Sequence, residues 1–335
     1  MLPAILGLAG PVLTATERDF FREADPAGFI LFGRNCSDKA QLRALTDSLR
    51  EISGRADVPI LIDQEGGRVA RLNAPEWPAF PAGWRFAELY EKAPISAIEA
   101  ARVNAQAIAA TLTEVGINVD CLPLLDVREE GTHDVIGDRA LGSEPMQVAA
   151  LGRAVLDGLE AGGVVGVVKH VPGHGRARVD SHEALPVAEA SDEALERDLA
   201  PFRALKDAPM AMTAHLLYPA WDEERPASLS PIVIRDVIRG RIGYDGLLMS
   251  DDLAMGALTG PPGERARQAI EAGCDIALYC TGILEENEAV AAALGDISDA
   301  ATARLEQAMA RSRGRSDPGD HQALAAKRDA LLRYA

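Results

Sequence analysis

Short apolar runs alternate along the chain with longer segments of helical period. The runs 5–10, 28–33, 58–64, 118–127, 164–171, 208–217, 246–252 and 274–280 read as strands. They are rich in Leu or β-branched residues and apolar at successive positions, the pattern of parallel strands buried on both faces. Segments 16–24, 38–53, 96–115, 145–161, 191–207, 230–240, 263–272 and 284–294 carry the helical period. Asp38 and Ser191 stand where N-caps are expected, and Gly116 and Gly162 where helices stop. These βα units, joined without a long linker, predict an α/β fold: a (β/α)8 TIM-type barrel. Residues 1–335 are expected to form a single catalytic domain, with a C-terminal helical extension from about 296 to 335 packed on the outside. An open, doubly wound sheet is the rival, because periodicity does not report closure.

Polar residues recur at or just past the C-terminal ends of these strands: Asp63, Asp126, Lys169 with His170, His215, and Asp251. In an eight-fold barrel the active site is built at that face. One Asp ending a strand is ordinarily a cap or turn residue, but five strands ending in this way point to a site.

The 335 residues, 47% of them hydrophobic, are ample for a large core. The net charge of −17 and the lack of any Lys/Arg run exclude nucleic acid as the expected partner. The apolar N-terminus MLPAILGLAGPVL has no cationic lead-in, so it does not read as a secretory signal, and no stretch is long enough to span a bilayer. Cys36, Cys121, Cys274 and Cys280 form no C-x-x-C pair and lie in or beside apolar segments, as core thiols of a reducing compartment do. A soluble, cytoplasmic protein is expected.

The densest chemistry is KHVPGHGRARVDSH, 169–182. Pro172 forbids a helix there, and Gly173 and Gly175 are expected to loosen the backbone around His174. In Asp180-Ser181-His182 the Asp and His are two apart, so in an extended segment they face one side. The carboxylate can then orient the imidazole and raise its basicity, which suits proton exchange near neutral pH. An isolated D-x-H is more often a surface pair. His170, His174, Asp180 and His182 also suffice in number for Zn²⁺, but without a helix the H-x-x-x-H spacing does not converge them. Ser181 lacks the G-x-S-x-G elbow of a serine hydrolase. LLMSDDLAM, 247–255, ends a strand in two carboxylates. Asp251 at the strand's end can face a pocket and attack an anomeric carbon; Asp252 suits an N-cap. LIDQEGGRVARL, 61–72, sets Asp63, Glu65, Arg68 and Arg71 around two glycines, donors and acceptors of the kind that hold sugar hydroxyls.

Together, IDQEGGRVARL, VIGDRALG, KHVPGHG followed by DSH, and SDDLAM resemble family 3 glycoside hydrolases, and among them the single-domain bacterial β-N-acetylhexosaminidases of peptidoglycan recycling. The motifs occur in the family's order from about residue 60 to 255. Val171 and Leu141 stand where an aromatic residue is more usual. The resemblance implies a retaining mechanism in which Asp251 is the nucleophile and His182 the acid/base, oriented by Asp180. It further implies that Asp63, Arg71, Arg139, Lys169 and His170 bind a terminal N-acetylglucosamine, with His174 only shaping the loop. The loop is expected to move, bringing His182 into play when substrate is bound.

An aromatic fraction of 4% suits a short pocket that trims one terminal sugar better than a long cleft with aromatic platforms. The expected partner is therefore a small sugar substrate, N-acetylglucosamine-containing muropeptides, handled by a monomer without cofactor, metal, membrane or nucleic acid. A metal-dependent hydrolase on the same barrel, a phosphorylase using the same intermediate, and a non-catalytic carbohydrate-binding protein remain as alternatives.

Overall fold

The computed structural model describes residues 1–129, 136–177, 179–181, 184–312 and 319–334. Eight parallel strands run in the order β7-β6-β5-β4-β3-β2-β1-β8. They are β1 (Leu2–Gly7), β2 (Pro26–Leu31), β3 (Ile60–Ile62), β4 (Val119–Asp120), β5 (Val165–Val171), β6 (Met210–Thr213), β7 (Leu247–Met249) and β8 (Ala277–Tyr279). A parallel bridge between Met249 and Ile276 joins the two ends of this order, reinforced by Ser250 N–H donating to the Ile276 carbonyl at 3.0 Å. That bridge closes the barrel and disposes of the open-sheet rival.

The strands are buried on both faces, and their side chains divide by alternation. Ile30, Leu61, Val165, Val167, Met210, Met212, Leu247, Met249 and Leu278 form one apolar cluster. Phe29, Leu31, Ile60, Ile62, Val168, Ala211 and Leu248 belong to another, which they share with the helices. The first fills the barrel; the second packs it against its outer ring.

That ring comprises α1 (Ala15–Ala24), α2 (Lys39–Ser53), α3 (Trp84–Lys92), α4 (Pro94–Glu114), α5 (Pro145–Ala161), α6 (Asp192–Ala204), a wide-turned helix Val233–Ile242, α7 (Pro262–Ala272) and α8 (Leu284–Ala293). Leu42, Leu45 and Leu49 show why α2 forms: their spacing aligns them on one face, which is buried. The two expected caps hold, with Asp38 accepting from Gln41 N–H at 2.8 Å and Ser191 from Ala194 N–H at 3.2 Å. Helix α5 stops at its C-cap Gly162, as expected, and the next residue, Gly163, takes the left-handed conformation at φ 81°.

Three differences from the sequence reading stand out. The expected strand 118–127 shrinks to two residues, because Pro123 has no N–H to continue a ladder; Lys169 N–H instead donates to the Pro123 carbonyl at 3.1 Å. Helix α3 was not expected at all. The C-terminal helices α9 (Asp299–Ala310) and α10 (His321–Leu332) also differ in placement. Leu305, Ala308 and Met309 of α9 join the cluster inside the barrel and stopper its N-terminal end, whereas α10 lies outside, its Arg328 donating to Asn104 of α4 at 3.1 Å. Among the described residues no helix is long and apolar enough to cross a membrane.

Candidate active site

The strand-end residues converge on a cavity of about 290 Å³ at the C-terminal face of the barrel. Asp63, Glu65, Arg71, Arg139, Lys169, His170, His174, Asp180, Ser181 and Asp251 all line it. Ile30, Phe32, Met212 and Leu278 from the barrel interior give it apolar walls.

One side is an ion network drawn from three elements. Lys169 of β5 is 2% exposed and sits between Asp63, at 2.9 Å, and Glu65, at 2.7 Å. Arg71 reaches the other oxygen of Asp63 at 3.1 Å. Arg139 clasps Glu65 with two hydrogen bonds, Nε to Oε2 and Nη2 to Oε1, both 2.8 Å. Charges alternate along Arg71–Asp63–Lys169–Glu65–Arg139, so every buried charge has an opposite neighbour, as burial requires. Burial pushes the Glu65 carboxyl up, but Arg139 and Lys169 overcome it and hold it at about 2. Asp63 is likewise held far below the usual carboxylate range against burial, by Lys169 and Arg71. Burial depresses the Lys169 ammonium, yet Asp63 and Glu65 raise it above the ordinary lysine value. Both carboxylates and Lys169 are therefore charged at neutral pH, and all five side chains line the cavity.

The loop after β5 supplies the second side. His170 Nδ1 lies 2.8 Å from Asp126 Oδ2, while Asp126 Oδ1 accepts the N–H groups of His170 at 3.1 Å and His174 at 2.6 Å. Asp126 does not line the cavity; it is fully buried behind it. The glycines here serve close packing and not loosening. A Cβ on Gly175 would stand 1.8 Å from the Val127 carbonyl oxygen, and Gly173, at φ 135°, gives its carbonyl to the Tyr218 hydroxyl at 2.7 Å. Burial, helped by nearby His170, lowers His174 to about 4, so its ring is neutral at physiological pH. Further along, Asp180 and Ser181 reach the cavity, and Ala257 N–H, just beyond β7, donates to the Ser181 carbonyl at 3.1 Å. His182 lies outside the described residues.

The third side is the turn after β7. Asp252 accepts N–H groups from Ala254 at 3.0 Å and Cys280 at 3.1 Å, so its carboxylate braces the turn as a cap would. Asp251 accepts the Asp252 N–H at 2.8 Å through Oδ1, and among the described residues its Oδ2 has no hydrogen bond. Burial pushes Asp251 up, but His170, His215 and the Asp252 N–H outweigh it and keep the carboxyl below its ordinary value. His215, read from the sequence as a strand-end candidate, is occupied structurally: Nδ1 meets Ser228 Oγ at 2.6 Å and Nε2 the Asp252 carbonyl at 2.9 Å. It steadies the turn that carries both carboxylates.

Ionised Asp251 thus shares with Lys169, Arg71 and Arg139 a cavity near the small end of the usual range for ligand pockets. The Glycosyl hydrolase family 3 N terminal domain matches residues 11–312. The chain belongs to glycosyl hydrolase family 3. A β-hexosaminidase of Alkalilimnicola ehrlichii is 40% identical over 302 residues, 89% of this chain and 84% of that protein. NagZ of Neisseria gonorrhoeae, solved with N-trifluoroacetyl-D-glucosamine, is 33% identical with a TM-score of 0.86, over 99% of this chain and 98% of that one. The same relative, solved with a zinc ion, is 32% identical with a TM-score of 0.82, over 99% of this chain and 96% of that one. A family 3 β-N-acetylglucosaminidase from a Paenibacillus species is 34% identical with a TM-score of 0.82 and covers 98% of this chain, which spans only 61% of that longer one.

The family 3 assignment makes this chain a glycoside hydrolase, as its motifs led us to expect. Two residues take places that the sequence reading did not give them. Glu65, read as one of several groups suited to sugar hydroxyls, is the partner of Lys169 and Arg139, and Asp126, read as a strand-end candidate, is buried against His170 and does not line the cavity. Both are strand-end carboxylates, but only their partners, tens of residues away in sequence, distinguish them from caps.

Proposed function

We propose that this glycoside hydrolase is an exo-acting, retaining β-N-acetylhexosaminidase that removes terminal non-reducing N-acetylglucosamine from peptidoglycan fragments in the cytoplasm, the whole chain acting as one catalytic unit and as a monomer. Asp251 attacks the anomeric carbon and the glycosidic bond breaks. His182, oriented by Asp180, gives a proton to the departing oxygen. The glycosyl–Asp251 ester is then opened by water, which yields its proton back to His182, so the two displacements retain configuration. Asp63, Arg71, Arg139, Lys169 and His170 hold the sugar's hydroxyls. A histidine in place of a second carboxylate keeps two anions from sharing a small site.

The observation that carries this reading is Asp251 itself. It is kept ionised at the cavity, relieved of the bracing task that Asp252 performs, and lines the same cavity as Asp180 and Ser181. The nature of the relatives supports the sugar: one is a β-hexosaminidase, another a β-N-acetylglucosaminidase, and NagZ is solved with N-trifluoroacetyl-D-glucosamine.

Trapping with an activated 2-fluoro-sugar, followed by peptide mapping, should place the label on Asp251. A label on Asp252, or none, overturns the mechanism. A metal-dependent reading takes its support from the zinc-bound relative. Among the described residues, however, no three His, Cys, Asp or Glu side chains are placed to hold a metal, and activity after exhaustive chelation should equal that of untreated protein. Product analysis in phosphate buffer should yield free sugar and no sugar 1-phosphate.

A further inference from the structure

We propose that Asp126 is a positioning residue of the reaction: its carboxylate keeps a proton on His170 Nδ1, so that Nε2 is the ring atom offered to the sugar. The inference rests on the reading above, in which His170 is a sugar contact, and it adds a residue to that contact from behind.

Asp126 splits its two oxygens between two tasks. Oδ1 takes the backbone N–H groups of His170 and His174, and so pins both ends of the turn 170–174. Oδ2 takes the His170 ring alone, at 2.8 Å from Nδ1. A carboxylate that already accepts two N–H groups has only acceptor capacity to give the ring, so Nδ1 must be the donor. The His174 ring stands edge-on to the His170 ring with centroids 5.6 Å apart, which limits rotation of the imidazole. Burial alone would favour a protonated Asp126; interaction with His170, with His174 and with the His174 N–H holds it at about 2, so it stays an acceptor near neutral pH. With Nδ1 committed, His170 meets the cavity through Nε2. In the neutral ring that atom accepts a hydroxyl proton, which complements Lys169 next to it, a group that can only donate.

The division of labour makes the proposal separable from a structural role. Asp126→Asn keeps an oxygen for the two backbone N–H groups and replaces the ring's acceptor with an amide donor. Nδ1 must then accept, the proton moves to Nε2, and the atom facing the sugar changes from acceptor to donor. Such a tautomer reversal is known to disable a histidine whose geometry is intact. The test uses the full chain. Ring nitrogen–proton correlation spectra, with the His170 signals identified by their loss in His170→Gln, read the tautomer. Kinetics on an aryl β-N-acetylglucosaminide and inhibition by N-acetylglucosamine read the consequence.

Wild type should carry a proton on Nδ1, and Asp126→Asn on Nε2. Asp126→Asn should lower kcat/KM and weaken N-acetylglucosamine binding by about tenfold to 100-fold, the value of one or two hydrogen bonds, and this loss should largely vanish in the His170→Gln background. Wild-type His170 found without a proton on Nδ1 overturns the proposal even if no variant folds. So does an equal loss from Asp126→Asn whether His170 or Gln stands at 170, since the effect would then run through the backbone. A wild-type protein that neither cleaves the glycoside nor binds N-acetylglucosamine refutes the proposed function instead, while the ring spectra still report on Asp126.

Discussion

Lys169→Met removes the cation shared by Asp63 and Glu65 and keeps a side chain of similar length. Breaking a buried pair by deleting one partner costs about 3–5 kcal/mol, because the remaining charge is stranded. Here each carboxylate keeps a guanidinium, Arg71 on Asp63 and Arg139 on Glu65, which puts the cost at the lower end, about 3 kcal/mol. A chain of this length has an unfolding entropy of roughly 0.7 kcal/mol/K, so Tm should fall by about 4 °C at pH 7. The pH dependence carries the decisive sign. In the native protein Glu65 is held at about 2, below its unfolded value near 4.3, so its contribution is fully present above that value and is lost as pH falls toward 2. In the variant the two carboxyls lose their shared cation, and one of them takes up a proton more readily than in the wild type. The deficit should therefore narrow by pH 4.5. Paired thermal and urea melts at pH 7 and 4.5 check this. A variant as stable as wild type at pH 7, or a deficit equal at both pH values, would show that Lys169 does not neutralise the carboxylates.

Within Ser250-Asp251-Asp252 the two carboxylates should separate by role. Asp251→Asn should lower kcat by several orders of magnitude, as loss of a nucleophile does. Asp252→Asn, which keeps an oxygen for the Ala254 and Cys280 N–H groups, should stay within about tenfold of wild type; the reverse order in steady-state kinetics would exchange their roles. Gly175→Ala should force the loop away from the Val127 carbonyl, costing about 1–3 kcal/mol of stability by overpacking and lowering kcat/KM with it. Melts and kinetics together check this, and an unaffected variant would mean the loop tolerates displacement.

The barrel was legible because its signals are local. The unbroken apolar run Ile60-Leu61-Ile62 and the buried leucines of α2 each lie within one element, and the repetition of such signals implies helices around a parallel sheet. The face that carries the cavity was legible for the same reason: Asp63, Lys169, His170 and Asp251 stand at the ends of apolar runs that the eye can find. The missed α3 follows Pro-rich sequence, 75–81, that reads as loop, and the overlong β4 contained a proline whose neighbours could have paired elsewhere.

What the chain could not declare by itself was which partner each polar group would take. Asp126 and Asp251 look alike as strand-end carboxylates, yet one turns away to hold His170 and the other faces the cavity. Glu65 and Arg139 meet across 74 positions, and Lys169 and Asp63 across 106. Gly175 signals flexibility in the sequence and close approach in the fold, because only the fold brings Val127 against it. The residues at strand ends, and hence the side of the barrel that carries the cavity, are determined by short-range pattern. The roles of those residues are decided by tertiary structure, since a hydrogen bond or ion pair depends on which distant group arrives within about 3 Å, and no local period encodes that.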